Sequence, residues 1–187
     1  MNIMIVGVGG QGTLLTSRII GKTALAAGYD VKISEVHGMA QRGGSVVTYV
    51  RYGKQVSEPI VEEGGADVLL AFEKLEALRY AHYLKKDGVL VVNDCRIDPM
   101  TVTIGAAEYP ENILEELKKK HTVYAINGDE VALSLGNSKV LNSVVLGLAA
   151  KYMEFSKEAW LEVLAGTVPP KTVALNSAAF LVGYEKE

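Results

Sequence analysis

The chain opens MNIMIVGVGGQG, a short apolar run from Ile3 to Val6 that breaks into glycines at positions 7, 9, 10 and 12. The run reads as a buried strand. The residues that follow read as a helix, Thr13 to Ala27, stopped by Gly28. Leu14, Leu15, Ile19, Ile20 and Leu25 are expected on one face of that helix. Gly7, Gly9 and Gly12 satisfy G-x-G-x-x-G in the strand–turn–helix context that gives this weak pattern meaning. A turn of this kind needs positive φ and close backbone approach, and it presents the free N–H groups of a helix N-terminus to an anion. The feature restricts the chain to α/β folds. It marks Gly7, Gly9, Gly10, Gln11, Gly12 and Thr13 as candidate cofactor-binding positions.

The rest of the chain continues the alternation. Strands are expected at Val31–Val36 and Ser45–Tyr52, with a short extended edge piece at Val56–Val61 that contains Pro59. Strands Asp67–Phe72 and Val89–Asn93 flank a helix over Lys74–Leu84. An irregular middle holds a possible strand at Val102–Ile104, and a charged helix, Glu111–Lys120, precedes a strand at His121–Ile126. Helices follow over Asp129–Leu135, Ser138–Tyr152, Lys157–Leu164 and Lys171–Tyr184, with Pro169-Pro170 separating the last two. This order predicts a three-layer, Rossmann-like, doubly wound, mostly parallel sheet with a helical C-terminal part, built as one domain over residues 1–187. The second strand is expected beside the first, so the loop after it opens on the crevice that holds the glycine turn.

That loop reads EVHGMAQRGGSV, Glu35 to Val46. Glu35 lies 23 residues after Gly12, where a ribose-binding acid sits in dinucleotide folds. His37 is suited to proton transfer near neutral pH. Arg42 is suited to bidentate binding of carboxylate or phosphate. Gly43 and Gly44 admit close approach of neighbouring atoms. Plainer readings stand beside these: glycines that only shape a corner, a surface Glu35, a loop histidine bonded to backbone, and a surface turn at Arg42–Gly44.

Composition removes several classes of function. With 19 basic against 22 acidic residues the net charge is −3, which argues against nucleic-acid or membrane partners. No apolar run approaches the roughly 18–20 residues of a membrane helix, and the start lacks the pattern of a signal peptide, so a cytoplasmic location is expected. Cys95 is the only cysteine. It suits a reducing compartment, is expected to be buried, and cannot by itself hold an iron–sulfur cluster. No metal site is expected. His82 and His121 are read as structural, and Asn127–Glu130 as a turn capping the next helix.

GVGGQG followed by HGMAQRGG resembles the small, gamma-type subunit of 2-oxoacid:ferredoxin oxidoreductases, with the second motif closest in wording to the indolepyruvate branch. The resemblance extends over most of the chain. It implies oxidative decarboxylation of a 2-oxoacid to an acyl-coenzyme A, with thiamine diphosphate, Mg²⁺ and 4Fe–4S clusters on a large alpha subunit and ferredoxin as acceptor. The chain departs from what that chemistry needs by itself. It has one cysteine, and Gly128-Asp129-Glu130 lacks the second glycine of a thiamine diphosphate motif. The resemblance therefore implies a subunit that completes a site: its glycine turn and the His37–Gly44 loop meet cofactor phosphate, coenzyme A or the partner. His37 and Arg42 take supporting catalytic roles. The alternative is a free-standing dinucleotide module for NAD or FAD, supported by Gly7, Gly9, Gly12 and Glu35.

Replacing Arg42 with alanine is expected to weaken turnover by the assembled complex while the subunit keeps its fold. An unchanged rate in the reconstituted complex counts against the assigned role.

Overall fold

Side chains alternate along the first strand, and this sets the layers. In β1 (Asn2–Val8), Ile3 and Ile5 enter one core, while Met4 and Val6 enter another on the opposite face of the sheet. The computed structural model describes residues 1–38 and 43–186. The other strands are β2 (Asp30–His37), β3 (Ser45–Gly53), β4 (Ala66–Ala71), β5 (Leu84–Asn93) and β6 (Thr122–Ile126). They form one sheet in the order β2-β3-β1-β4-β5-β6.

The larger core packs α1 (Thr13–Ala26) and the C-terminal helices α6 (Leu141–Ala150), α7 (Lys157–Ala165) and α8 (Val173–Glu185) against the face that carries Ile3, Ile5, Val68, Leu70 and Val91. The smaller core packs α2 (Lys74–Tyr80) and α4 (Ile113–Lys118) against the other face. Between β5 and α4 lies a four-residue helical turn, α3 (Met100–Thr103), and α5 (Gly128–Ser134) follows β6. The α/β class, the helices on both faces and the helical C-terminal part follow the reading of the sequence. Three of the five strand pairings, β1·β4, β4·β5 and β5·β6, are parallel.

The neighbour of β1 differs from expectation. β3 runs antiparallel to both β1 and β2 and lies between them, so β2 occupies the sheet edge. The chain leaves β2 by a hairpin rather than a crossover, and β3 takes the central position because its alternate side chains are buried on both faces. Other local expectations also change. Val56–Val61 forms no strand: Val56 and Val61 are buried, and the Val56 N–H is held by Asp30 Oδ2 at 2.9 Å instead of by a ladder. Val102 belongs to the turn α3, which Pro99 opens by accepting from the Val102 N–H at 2.9 Å. The helix after β4 stops at Tyr80, passes through a 3₁₀ turn at Ala81–Tyr83, and β5 begins at once at Leu84. In α1, Leu14 and Leu25 face outward; the buried stripe is made of Thr16, Ile19, Ile20, Thr23 and Ala24, and Gly21 lies where a Cβ would stand 2.7 Å from Ile33 of β2.

Close approach also joins α6 to α8. A Cβ on Gly147 would run into the Phe180 carbonyl oxygen, and one on Gly183 into that of Val144. Beside this crossing, Ser143 Oγ donates to Asn176 Oδ1 at 2.7 Å and Asn176 Nδ2 donates to the Thr172 carbonyl at 2.9 Å. Asn176 is thus a satisfied polar group of the core.

Gly183→Ala is expected to cost about 3 kcal/mol through overpacking. In a chain of this length that lowers the Tm by roughly 6–12 °C in a thermal melt. Gly166→Ala, where a Cβ would meet only ordinary contacts beyond 3.6 Å, serves as the control and should change little. Equal melting of the two variants contradicts the packing.

Candidate functional site

The glycine turn after β1 is shaped first by the chain's own side chains. Gln11 folds back over it: its Oε1 accepts from the Val8 N–H at 2.7 Å, and its Nε2 donates to the Phe72 carbonyl at 2.9 Å. Phe72 lies just past β4, and α1 and α2 leave β1 and β4 toward opposite faces of the sheet. In open α/β sheets that divergence creates the ligand crevice. Here the Gln11 carboxamide bridges it. Gly7 is glycine because a Cβ would stand 2.9 Å from Gln11 Oε1 and 3.1 Å from Phe72 Cβ. Gly12, at φ 79°, is the N-cap of α1 and accepts a 2.7 Å hydrogen bond from Asn142 Nδ2, whose carboxamide occupies the space a Cβ would need. Gly10, at φ 104°, has no atom of the described residues within 4 Å of its Cβ direction. It is the bare point of the turn.

The loop between β2 and β3 meets this turn directly. The Gly9 N–H donates to the Gly44 carbonyl at 2.8 Å, and the Gly43 N–H donates to the Gly9 carbonyl at 3.3 Å. These bonds extend the β1–β3 ladder beyond its last pair, Val8 with Ser45. A cleft of about 430 Å³ opens beside them, lined by Gly10, Gly12, Thr13, Leu14, Glu35 and His37 among others. Helix α1 has no side-chain cap and no acid in its first turn. Its leading N–H groups are therefore unpaired within the helix and carry the positive end of its dipole. A second cleft, of about 470 Å³, lies across Gly10 and is lined by Gln11, Asp129, Lys139 and Asn142.

Of the candidates from sequence, the structure gathers Gly9, Gly10, Gly12, Thr13, Glu35 and His37 around one cleft, with Gly43 and Gly44 bonded to its rim. Gln11 is committed to internal hydrogen bonds, and Gly7 makes room for it. Arg42 lies outside the described residues. His37 is exposed, with Nδ1 3.2 Å from the Gly38 carbonyl oxygen. Glu35 Oε2 accepts from Thr48 Oγ1 at 3.4 Å. Because β3 intervenes, Glu35 stands two strands from β1 rather than on the adjacent strand, a displacement of about 4.8 Å relative to the dinucleotide-binding arrangement.

Two buried acids at the start of α2 escaped the reading of the sequence. Glu73 caps α2 by accepting from the Glu76 N–H at 3.0 Å, and its other oxygen accepts from the Ile97 N–H at 3.2 Å and the Tyr109 hydroxyl at 2.5 Å. Burial and the Glu73 carboxylate raise the Tyr109 pKa. Glu76 accepts from the Ser45 hydroxyl at 2.5 Å; burial raises its carboxyl pKa, against the opposing pull of Ser45 and Arg79. The spacing Glu73-Lys-Leu-Glu76 directly after a strand, acids at the N-cap and at the third helical position, was the available signal.

Cys95 is half-buried, and burial pushes its thiol up to about 12. It stays protonated and donates to the Phe72 carbonyl at 3.1 Å, which makes it a structural donor rather than a nucleophile. Among the described residues no group of three or more His, Cys, Asp or Glu side chains is placed to hold a metal ion. The Gly128–Glu130 stretch does not fit a cofactor diphosphate. Asn127 caps α5 by accepting from the Glu130 N–H at 3.0 Å, and Asn93 receives the Gly128 N–H at 2.8 Å and binds Asp129 Oδ2 at 3.0 Å. No helix of the described residues is long and apolar enough to cross a membrane.

Residues 2–186 match the family model described as pyruvate ferredoxin/flavodoxin oxidoreductase. The chain is 45% identical to indolepyruvate oxidoreductase subunit IorB of Archaeoglobus fulgidus, over 100% of this chain and 94% of that one. It is 44% identical to the subunit of the same name from Thermococcus kodakarensis, over 98% and 94% of the two chains. Among solved structures it superimposes on the keto/oxoacid ferredoxin oxidoreductase gamma subunit of Geobacter sulfurreducens with a TM-score of 0.73 and 27% identity, covering 98% of this chain and 96% of that one.

Gln11→Leu strands the Val8 N–H, at about 1–3 kcal/mol, while the Phe72 carbonyl keeps Asn93 Nδ2 and the Cys95 thiol as donors. A thermal melt is expected to show a Tm lowered by roughly 2–12 °C. A Tm equal to that of the parent chain contradicts the bridging role.

Proposed function

The chain belongs to the pyruvate ferredoxin/flavodoxin oxidoreductase family, and from that premise we propose that it is the small subunit of an enzyme oxidising indolepyruvate or a related aryl pyruvate. Residues 1–187 act as a single gamma-type domain. The observation that carries the reading is the pairing of two loops. The glycine turn and the β2–β3 connection are hydrogen-bonded into one rim beside the uncapped mouth of α1.

The reaction converts the 2-oxoacid and coenzyme A to carbon dioxide and the acyl thioester, and passes an electron pair to ferredoxin. Thiamine diphosphate with Mg²⁺ supplies the decarboxylation chemistry, and 4Fe–4S clusters supply the electron path. Both fit a large alpha subunit, because this chain offers one half-buried thiol and a Gly128–Glu130 stretch already used as a helix cap. A reducing cytoplasm suits both that thiol and the acceptor.

The work left to this chain is binding and positioning. The N–H groups at the mouth of α1 attract an anion: a phosphate of coenzyme A or cofactor, or a carboxylate of the partner. Gly10 lets that group reach the backbone, since no side chain of the described residues stands over it. Arg42 adds a guanidinium for the same charge. His37, at the exposed end of β2, is available to relay a proton. A free-standing NAD or FAD module is disfavoured by two features: Gln11 bridges the crevice such a ligand uses, and β3 separates Glu35 from β1.

Co-expression with the large subunit tests the assignment. The purified pair is expected to reduce ferredoxin when given indolepyruvate and coenzyme A, and neither chain alone should do so. Micromolar binding of NAD or FAD to the isolated chain, with no stable association with an iron–sulfur partner, contradicts it.

A further inference from the structure

We propose that Glu76 is a positioning residue for the paired loops, acting through Ser45; this rests on the reading that those loops form the working rim of the subunit. Glu76 belongs to the helix on the face of the sheet opposite α1, so it reaches the rim from behind. Its residue is only 4% exposed. Oε2 accepts from Ser45 Oγ at 2.5 Å, and Oε1 stands 3.5 Å from Arg79 Nε. Ser45 Oγ also lies 3.3 Å from the Tyr80 hydroxyl, so two residues of α2 grip the same side chain.

Ser45 is the first residue of β3 and pairs with Val8, the last of β1. The next residues outward, Gly44 and Gly43, are those bonded to Gly9. The chain of contacts therefore runs from Glu76 through Ser45 to Gly43 and Gly44, and from there to the backbone of Gly9 at the cleft. Gly43 and Gly44 have no side chains of their own with which to anchor the rim. A cavity of about 150 Å³ lies under them, lined by Gly43, Gly44, Ser45, Glu76 and Arg79 among others. Packing there leaves room for Gly43 and Gly44 to shift, and the Ser45 bond opposes that shift. A buried carboxyl is destabilising unless hydrogen-bonded or paired, and here its partners are the Ser45 hydroxyl and the Arg79 guanidinium.

The test uses the assembled two-subunit enzyme with Ser45→Ala, Ser45→Thr and Glu76→Gln. Hydrogen exchange is read at the Gly9 and Gly43 amides, with β4 and β5 amides as internal reference, alongside kcat and KM for coenzyme A and the 2-oxoacid. In Ser45→Ala the two loop amides are expected to exchange about tenfold faster or more, while the reference amides stay within about twofold. Ser45→Thr, which keeps the hydroxyl, should restore protection, and Glu76→Gln, which keeps a weaker acceptor, should fall between. Unchanged exchange at Gly9 and Gly43 in Ser45→Ala overturns the proposal. So does equal acceleration in β4 and β5, which would make Glu76 a general stabiliser. Faster loop exchange with kcat/KM lowered about tenfold for either substrate supports both the positioning and the site on which it rests. Faster loop exchange with kinetics unchanged supports the positioning and removes the functional reading of the rim.

Discussion

The backbone of Gly9 is the point on which the carboxyl edge of this molecule depends. Its N–H and its carbonyl are both taken by the β2–β3 connection, through Gly44 and Gly43. Those two bonds turn separate bends into one structure. They exist because β3 runs antiparallel to β1 and starts where β1 ends. Gln11 completes the arrangement by tying the end of β1 to the end of β4, and Asn93 ties the end of β5 to the start of α5. Buried carboxylates at Glu73 and Glu76 hold the flanking connections from the other face. The edge that in related topologies opens as a ligand crevice is here closed at its base and framed at its rim.

This gives the glycines after β1 two distinct purposes. Gly7 and Gly12 answer to neighbours within the chain, the carboxamides of Gln11 and Asn142. Gly10 answers to nothing among the described residues and lies between two clefts. A G-x-G-x-x-G pattern by itself does not separate these purposes, which is why the same letters occur in proteins that bind dinucleotides and in ones that do not.

Much of the fold was legible in the sequence, and the misses have physical causes. Buried strands, capped helices and the Pro169-Pro170 break depend on local pattern, so β1, α1, β4 and the C-terminal helices lie close to where periodicity placed them. Strand order depends on pairing between distant segments, and no local signal showed that β3 would insert between β1 and β2. The expected meeting of the two loops was reached through the wrong neighbour: β2 is at the edge, and β3 brings the connection home. The outward face of α1 was misjudged because small and polar groups, Thr16, Thr23 and Ala24, take buried positions that the pattern of leucines did not mark. Glu73 and Glu76 were missed because acids in a helix are ordinarily solvated, and only their tertiary partners make them internal.

On the proposed reading the chain works through a well-defined edge rather than through a reactive group of its own. Burial keeps its thiol protonated and internally bonded, and its helix α1 presents N–H groups unpaired within the helix where two loops meet. That division of labour is the central claim, and the structure of the assembled enzyme with coenzyme A and 2-oxoacid bound tests it most directly. The account expects a phosphate oxygen, or a carboxylate oxygen of the large subunit, within about 3 Å of the N–H groups of Gly10, Gly12, Thr13 or Leu14. An assembly in which that edge faces bulk water, with the large subunit seated on β6 or on the opposite end of the sheet, contradicts it.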